Sequence, residues 1–123
     1  NPDEVGWPVD PATTSHTDRT RAMMCNDMDT ATADAFLARL GPDQWPASSY
    51  RETRWQFTRP ATVPASYVLC LRDNILPVTW QERYALERFD CERIIHIDSG
   101  HQAMNTRPQT LAEVLLHEAK IGL

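Results

Sequence analysis

The chain has 123 residues, 41% hydrophobic and 24% charged, a length and balance that suit a globular domain with a core and exclude a fibrous or wholly disordered polypeptide. Its formal net charge of -5 at pH 7 speaks against nucleic acid as the main partner, because phosphate binding needs a basic stripe and the sequence contains none. No apolar run approaches the roughly 18 residues of a membrane span and no signal-peptide pattern opens the chain, so no membrane partner and a cytoplasmic setting are expected.

Lys120 is the one lysine among 12 basic residues, an arginine bias that fits a GC-rich, bacterial coding genome. Cys25, Cys70 and Cys91 are odd in number and lack CxxC spacing, so they are expected to be reduced. Asn1 stands where an initiator methionine would, which suggests a piece excised from a longer precursor.

Residues 1–22 hold Pro2, Gly6, Pro8 and Pro11 among many Thr, Ser and Asp, and read as a loop or linker that is easily cut. From the capping residue Asp29, the positions Ala33, Phe36, Leu37 and Leu40 form one helical stripe, which Gly41 and Pro42 end. Residues 43–57 mix Trp45, Tyr50, Trp55 and Phe57 with Arg51, Glu52 and Arg54, and a short helix is expected from Pro46. Pro60 and Pro64 mark a connection.

Beyond it the pattern turns to β. Ser66 to Leu71 is a short apolar run of the kind buried on both faces of a parallel sheet, and Asp73 lies just past its end. Pro77 suits the first turn of a helix that runs to Asp90 with Val78, Ala85, Leu86 and Phe89 on its apolar face. Arg93 to Ile97 is a second strand, and Ser99, Gly100 and His101 form the loop after it. Thr106 and Pro108 open a last helix bearing Leu111, Val114, Leu115 and Ala119.

A strand, helix and strand of this length predict a parallel pair joined by a right-handed crossover. Such a pair has two apolar faces and bare edges, more than these helices cover, so the chain is not expected to fold alone.

Ligands of open α/β sheets bind beyond the carboxyl ends of the strands, which is where Asp73 and His101 both fall. Singly, such an Asp is a turn or cap residue and such a His a surface residue. Their joint placement, with Gly100 before His101, predicts a carboxylate-imidazole hydrogen bond that fixes the ring tautomer for proton transfer. His96 and His117 show no metal spacing with His101, and no metal site is expected. Met23, Met24 and Met28 are core filler or the lining of an adaptable apolar site; Trp45 and Met104 are further candidates for substrate contact, and Cys70 for an inert core position.

The run Y-V-L-C-L-R-D-N-I-L-P from Tyr67 to Pro77 is followed by Gln81 in the next helix. The run I-I-H-I-D-S-G-H-Q-A-M from Ile94 to Met104 is followed by Arg107, Pro108 and L-A-E-V-L-L from Leu111. Together, over residues 60–121, they resemble the C-terminal part of the α/β-hydrolase fold, whose last two core strands lead to the triad acid and then the triad histidine. The likeness is greatest to the branch of methylesterases and hydroxynitrile lyases, which carry a helical cap before this segment.

The resemblance implies an α/β architecture: residues 1–57 as linker and C-terminal part of a helical cap, and residues 58–123 as the C-terminal part of the hydrolase core, completed by a second chain. It implies Asp73 as triad acid, His101 as general base, no cofactor, and a carboxylic ester, lactone or thioester as small-molecule substrate. The sequence departs from the family in having no G-x-S-x-G: Gly6, Gly41, Gly100 and Gly122 cannot form one, and Ser15, Ser48, Ser49, Ser66 and Ser99 lack the strand-to-helix elbow. The serine precedes the acid and histidine in this fold, so nucleophile and oxyanion hole are expected on a companion chain, from a precursor cut in its cap. The same groups could serve a lyase or cyclase without an acyl-enzyme, and loss of the serine would leave a non-catalytic subunit.

Overall fold

The computed structural model describes residues 9–10, 12–41, 58, 60 and 62–121. Trp45 and the helix expected from Pro46 lie outside them. The architecture mixes helix and strand around a two-stranded parallel sheet.

The first helix among the described residues, α1 (His16–Met24), corrects the expectation of a loop where it covers residues 16–22. Its start is set by Ser15, whose hydroxyl oxygen accepts from the Asp18 N–H at 3.1 Å, and Asp18 adds negative charge to the first turn. The prolines that signal a loop all precede this cap. Helix α2 (Thr30–Arg39) begins as expected, with Asp29 Oδ1 accepting from the Thr32 N–H at 2.8 Å.

Ala33 and Phe36 are buried with Cys25, and Met24, Met28 and Leu37 pack against them, which closes α1 and α2 into a hairpin. Leu40 does not join this stripe. It is the extended residue that ends α2 and is 45% exposed, so the apolar face stops one turn earlier than its spacing predicts.

Strands β1 (Ser66–Cys70) and β2 (Arg93–Ile97) pair in parallel, with Ser66 opposite Arg93 and Cys70 opposite Ile97. Leu71 leaves the strand, although its N–H still bonds to Ile97 O at 2.9 Å. Leu69 and Ile97 are buried, whereas Val68, Ile94 and Ile95 remain half-buried. The described helices therefore do not bury both faces of the sheet, as expected of two strands with so little cover.

Between the strands, α3 (Val78–Arg83) runs into a π-helical turn, Tyr84–Arg88, in which the Phe89 N–H reaches Tyr84 O at 3.0 Å. The wider turn rotates the helix face. Ala85 and half-buried Phe89 meet the expectation of an apolar face, Phe89 stacking on Tyr67 of β1, but Leu86 is turned out to 59% exposure.

After β2 the chain forms two helices where one is predicted: α4 (Ala103–Thr106) and α5 (Pro108–Ile121). They are separated at Arg107, which adopts φ -137° and ψ 50°, because proline disfavours helical conformation in the residue before it. Leu111 and Val114 are half-buried, but Leu115 and Ala119 are exposed. The stripe that packs is completed by half-buried Glu118, which accepts from Arg93 Nη2 at 2.6 Å and from the Ser66 hydroxyl, pinning α5 over the start of both strands.

Candidate functional site

The parallel register decides where the two loops emerge. Beyond the last pair, Cys70 and Ile97, the Arg72 N–H donates to Ser99 O at 2.9 Å. The Arg72 guanidinium also reaches across to the Asp98 carbonyl at 3.1 Å and carboxylate at 2.8 Å. The loops after β1 and β2 thus leave the sheet side by side, and Asp73 and His101 stand on them.

Asp73 and His101 meet as the sequence predicts: Asp73 Oδ2 lies 2.9 Å from His101 Nδ1. The other carboxylate oxygen, Oδ1, accepts from the N–H groups of Ile75 at 2.7 Å and Leu76 at 3.0 Å, an Asx turn that folds the loop around its own acid. The Asp73 side chain is 4% exposed and that of His101 31%, so the acid is sheltered while the base keeps a route to solvent.

Burial pushes the Asp73 carboxyl up, but the His101 bond and the Leu76 and Ile75 N–H groups outweigh it and hold the pKa below the usual carboxylate value. The bond to Asp73 raises the His101 pKa above its ordinary value against the opposing effect of burial. An ionised carboxylate only accepts, so the proton shared with it belongs to Nδ1, and neutral His101 carries its basic lone pair on Nε2. No described residue bonds to Nε2. The arrangement can take a proton from a nucleophile, return it to a leaving group, and stabilise the imidazolium between those steps.

Two groups of contacts hold the loops. Gln81 is 2% exposed, and its amide accepts from the Cys70 N–H at 3.0 Å and donates to Cys70 O at 3.0 Å and Leu76 O at 2.7 Å. One side chain on α3 thereby ties the end of β1 to the Asp73 loop. From the other direction, the turn between α1 and α2 touches both loops. Asn26 Nδ2 donates to Arg72 O at 2.7 Å, Asp27 Oδ2 accepts from the Gly100 N–H at 2.7 Å, and Asn74 Nδ2 donates to Ala22 O at 2.9 Å. Neither Asn26 nor Asp27 is marked by the sequence as functional, because an N-D dipeptide between two helices signals only a turn.

Of the expected substrate contacts, Met24 and Met28 serve the core of the α1–α2 hairpin and Met23 is half-buried on α1. Met28 also lines a cavity of about 190 Å³ with Asp27, Thr32, Asn105 and Arg107. Met104 is 58% exposed on α4. A larger cavity of about 550 Å³ lies against Trp80, Arg83, Tyr84, Glu87 and Arg88, and neither Asp73 nor His101 lines it.

Among the described serines, Ser15 caps α1, Ser66 bonds to Glu118 at the start of β1, and Ser99 is wholly buried, so none is placed as the nucleophile of His101. His96 and His117 are exposed, and no group of metal-ligating side chains exists among the described residues. Cys25, Cys70 and Cys91 form no disulfide with one another. No described helix is long and apolar enough to cross a membrane. Comparison of the chain with protein-family models, with curated proteins and with solved structures finds no match.

Proposed function

We propose that this chain supplies the acid and base of a Ser-His-Asp hydrolase acting on a carboxylic ester, lactone or thioester, within an α/β-hydrolase core that a companion chain completes. The observation that carries the proposal is the 2.9 Å bond between His101 Nδ1 and an Asp73 carboxylate whose other oxygen is held by two backbone N–H groups. A carboxylate with a mere capping role needs no imidazole, and a surface imidazole needs no buried carboxylate.

In this mechanism His101 Nε2 takes the proton of the companion's serine as its oxygen attacks the substrate carbonyl. Asp73 stabilises the resulting imidazolium through Nδ1. His101 then protonates the departing alcohol or thiol, leaving an acyl-enzyme, and deprotonates the water that hydrolyses it. Selectivity among esters, lactones and thioesters belongs to the companion chain and the cap of residues 1–57.

The test is a fluorophosphonate probe applied to the purified complex, with the labelled peptide identified by mass spectrometry. A single labelled serine on the companion, lost in His101→Ala, is expected. Turnover of an ester panel without any labelled serine would reject the hydrolase and favour lyase or cyclase chemistry at the same pair.

A further inference from the structure

The turn between α1 and α2 makes more contact with the Asp73 and His101 loops than a connection between two helices requires. Asn26 holds the carbonyl of Arg72, the residue before Asp73, and Asp27 holds the N–H of Gly100, the residue before His101. Asn74, the residue after Asp73, reaches back to Ala22 at the end of α1. These bonds join positions 46, 73 and 52 residues apart.

Gly100 is shaped to this approach. A Cβ there would lie 2.6 Å from both Asn26 Oδ1 and Asp27 Oδ1, so the two side chains close on the bare Cα as on no other residue type. Asp27 Oδ1 is also buried without a hydrogen-bond partner among the described residues. An unpaired buried carboxylate oxygen is unfavourable for folding, and here it accompanies the oxygen that fixes the His101 loop.

We propose that Asn26 and Asp27 are positioning residues, a latch that holds the backbone on either side of the Asp73–His101 pair and makes its alignment depend on docking of the α1–α2 hairpin. The latch acts on the backbone before His101 and touches no reacting atom. Its catalytic consequence rests on the hydrolase reading, while its effect on the imidazole does not.

The test compares Asp27→Ala, Asp27→Asn and Gly100→Ala with the unaltered complex by three readouts. These are hydrogen exchange of the residue 100 amide, the His101 pKa from imidazole resonances, and the rate of fluorophosphonate labelling. Asp27→Ala is expected to speed exchange and slow labelling by about tenfold each, and to bring the His101 pKa down toward 6.5. Asp27→Asn keeps an oxygen for the Gly100 N–H and is expected to behave as the unaltered protein, which separates geometry from loss of charge.

Gly100→Ala pushes aside only the ends of two flexible side chains, so it is expected to fold and to reproduce the Asp27→Ala behaviour with the Asp27 charge intact. If Asp27→Ala does not fold, the contrast between Asp27→Asn and Gly100→Ala decides alone. An unchanged His101 pKa and labelling rate in Gly100→Ala, or an Asp27→Asn as impaired as Asp27→Ala, overturns the latch and leaves the hydrolase standing. No labelling of the unaltered complex, together with a His101 pKa that moves in Gly100→Ala but not in Asp27→Asn, overturns the hydrolase and leaves the latch.

Discussion

Cys70 and Ile97 face each other as the last pair of the parallel ladder, and the loops that follow them carry Asp73 and His101 to one edge of the sheet. A parallel ladder keeps both carboxyl ends on the same side, so the 28 positions between acid and base collapse to a contact of 2.9 Å. The consequences for catalysis and stability follow from that contact and from what surrounds it.

Asp73→Asn removes the carboxylate that raises the His101 pKa and leaves burial to lower it. Imidazole titration is therefore expected to move below its value in the unaltered protein. Turnover of a responsive ester should fall by about as much as in His101→Ala, on the order of a thousandfold or more, with the circular dichroism spectrum little changed. An Asp73→Asn protein with unaltered titration and turnover refutes the acid role.

His101→Ala should lower turnover on the order of a thousandfold or more. In the proposed triad Asp73 acts only through His101, so the double variant should be little slower than His101→Ala by itself. Multiplying effects in a steady-state comparison of the three proteins would mean that the two residues act separately.

The proposed mechanism needs the neutral imidazole, so the rate is expected to rise with pH through the raised His101 pKa and level off beyond it. Stability follows the opposite course. A raised histidine pKa contributes stability that is complete below 6.5 and is lost as pH rises through the folded value. The lowered Asp73 pKa contributes stability present above 3.8 and lost as pH falls through its folded value. Denaturant midpoints measured across this range should show the pair's contribution at its fullest between those limits.

Gln81→Leu replaces a buried amide with an apolar side chain of similar size, strands the Cys70 N–H and the Leu76 carbonyl, and leaves the Cys70 carbonyl only the Asp73 N–H at 3.3 Å. Each buried group left without a partner costs about 1–3 kcal/mol, so a clearly lower urea midpoint is expected. Hydrogen exchange should rise first at Cys70 and in the Asp73 loop. A midpoint within error of the unaltered protein would mean that water replaces the amide.

Much of the site is legible in the residues themselves. The apolar runs ending near Cys70 and Ile97 identify two strands, although only Leu69 and Ile97 within them are buried, and the β2 boundaries, Arg93 and Ile97, coincide with the run that predicts them. Once both strands are parallel, a polar residue just past each end must share an edge with the other, which is why the pairing of Asp73 with His101 is legible in the sequence. Helix α1 is less visible because local turn formers dominate residues 1–22, and its cap at Ser15 is outweighed by the prolines upstream.

The π turn at Tyr84–Arg88, the outward rotation of Leu86 and the exposure of Leu115 are not written in residue spacing, because a helix chooses its buried face according to what it packs against. The same holds for Asn26 and Asp27. Periodicity along the chain determines which segments are strand and helix and which polar residues stand at their ends. Only the tertiary structure decides that a turn 73 residues before Gly100 closes on it, since a hydrogen bond between distant segments depends on how they pack and leaves no repeating signal in either.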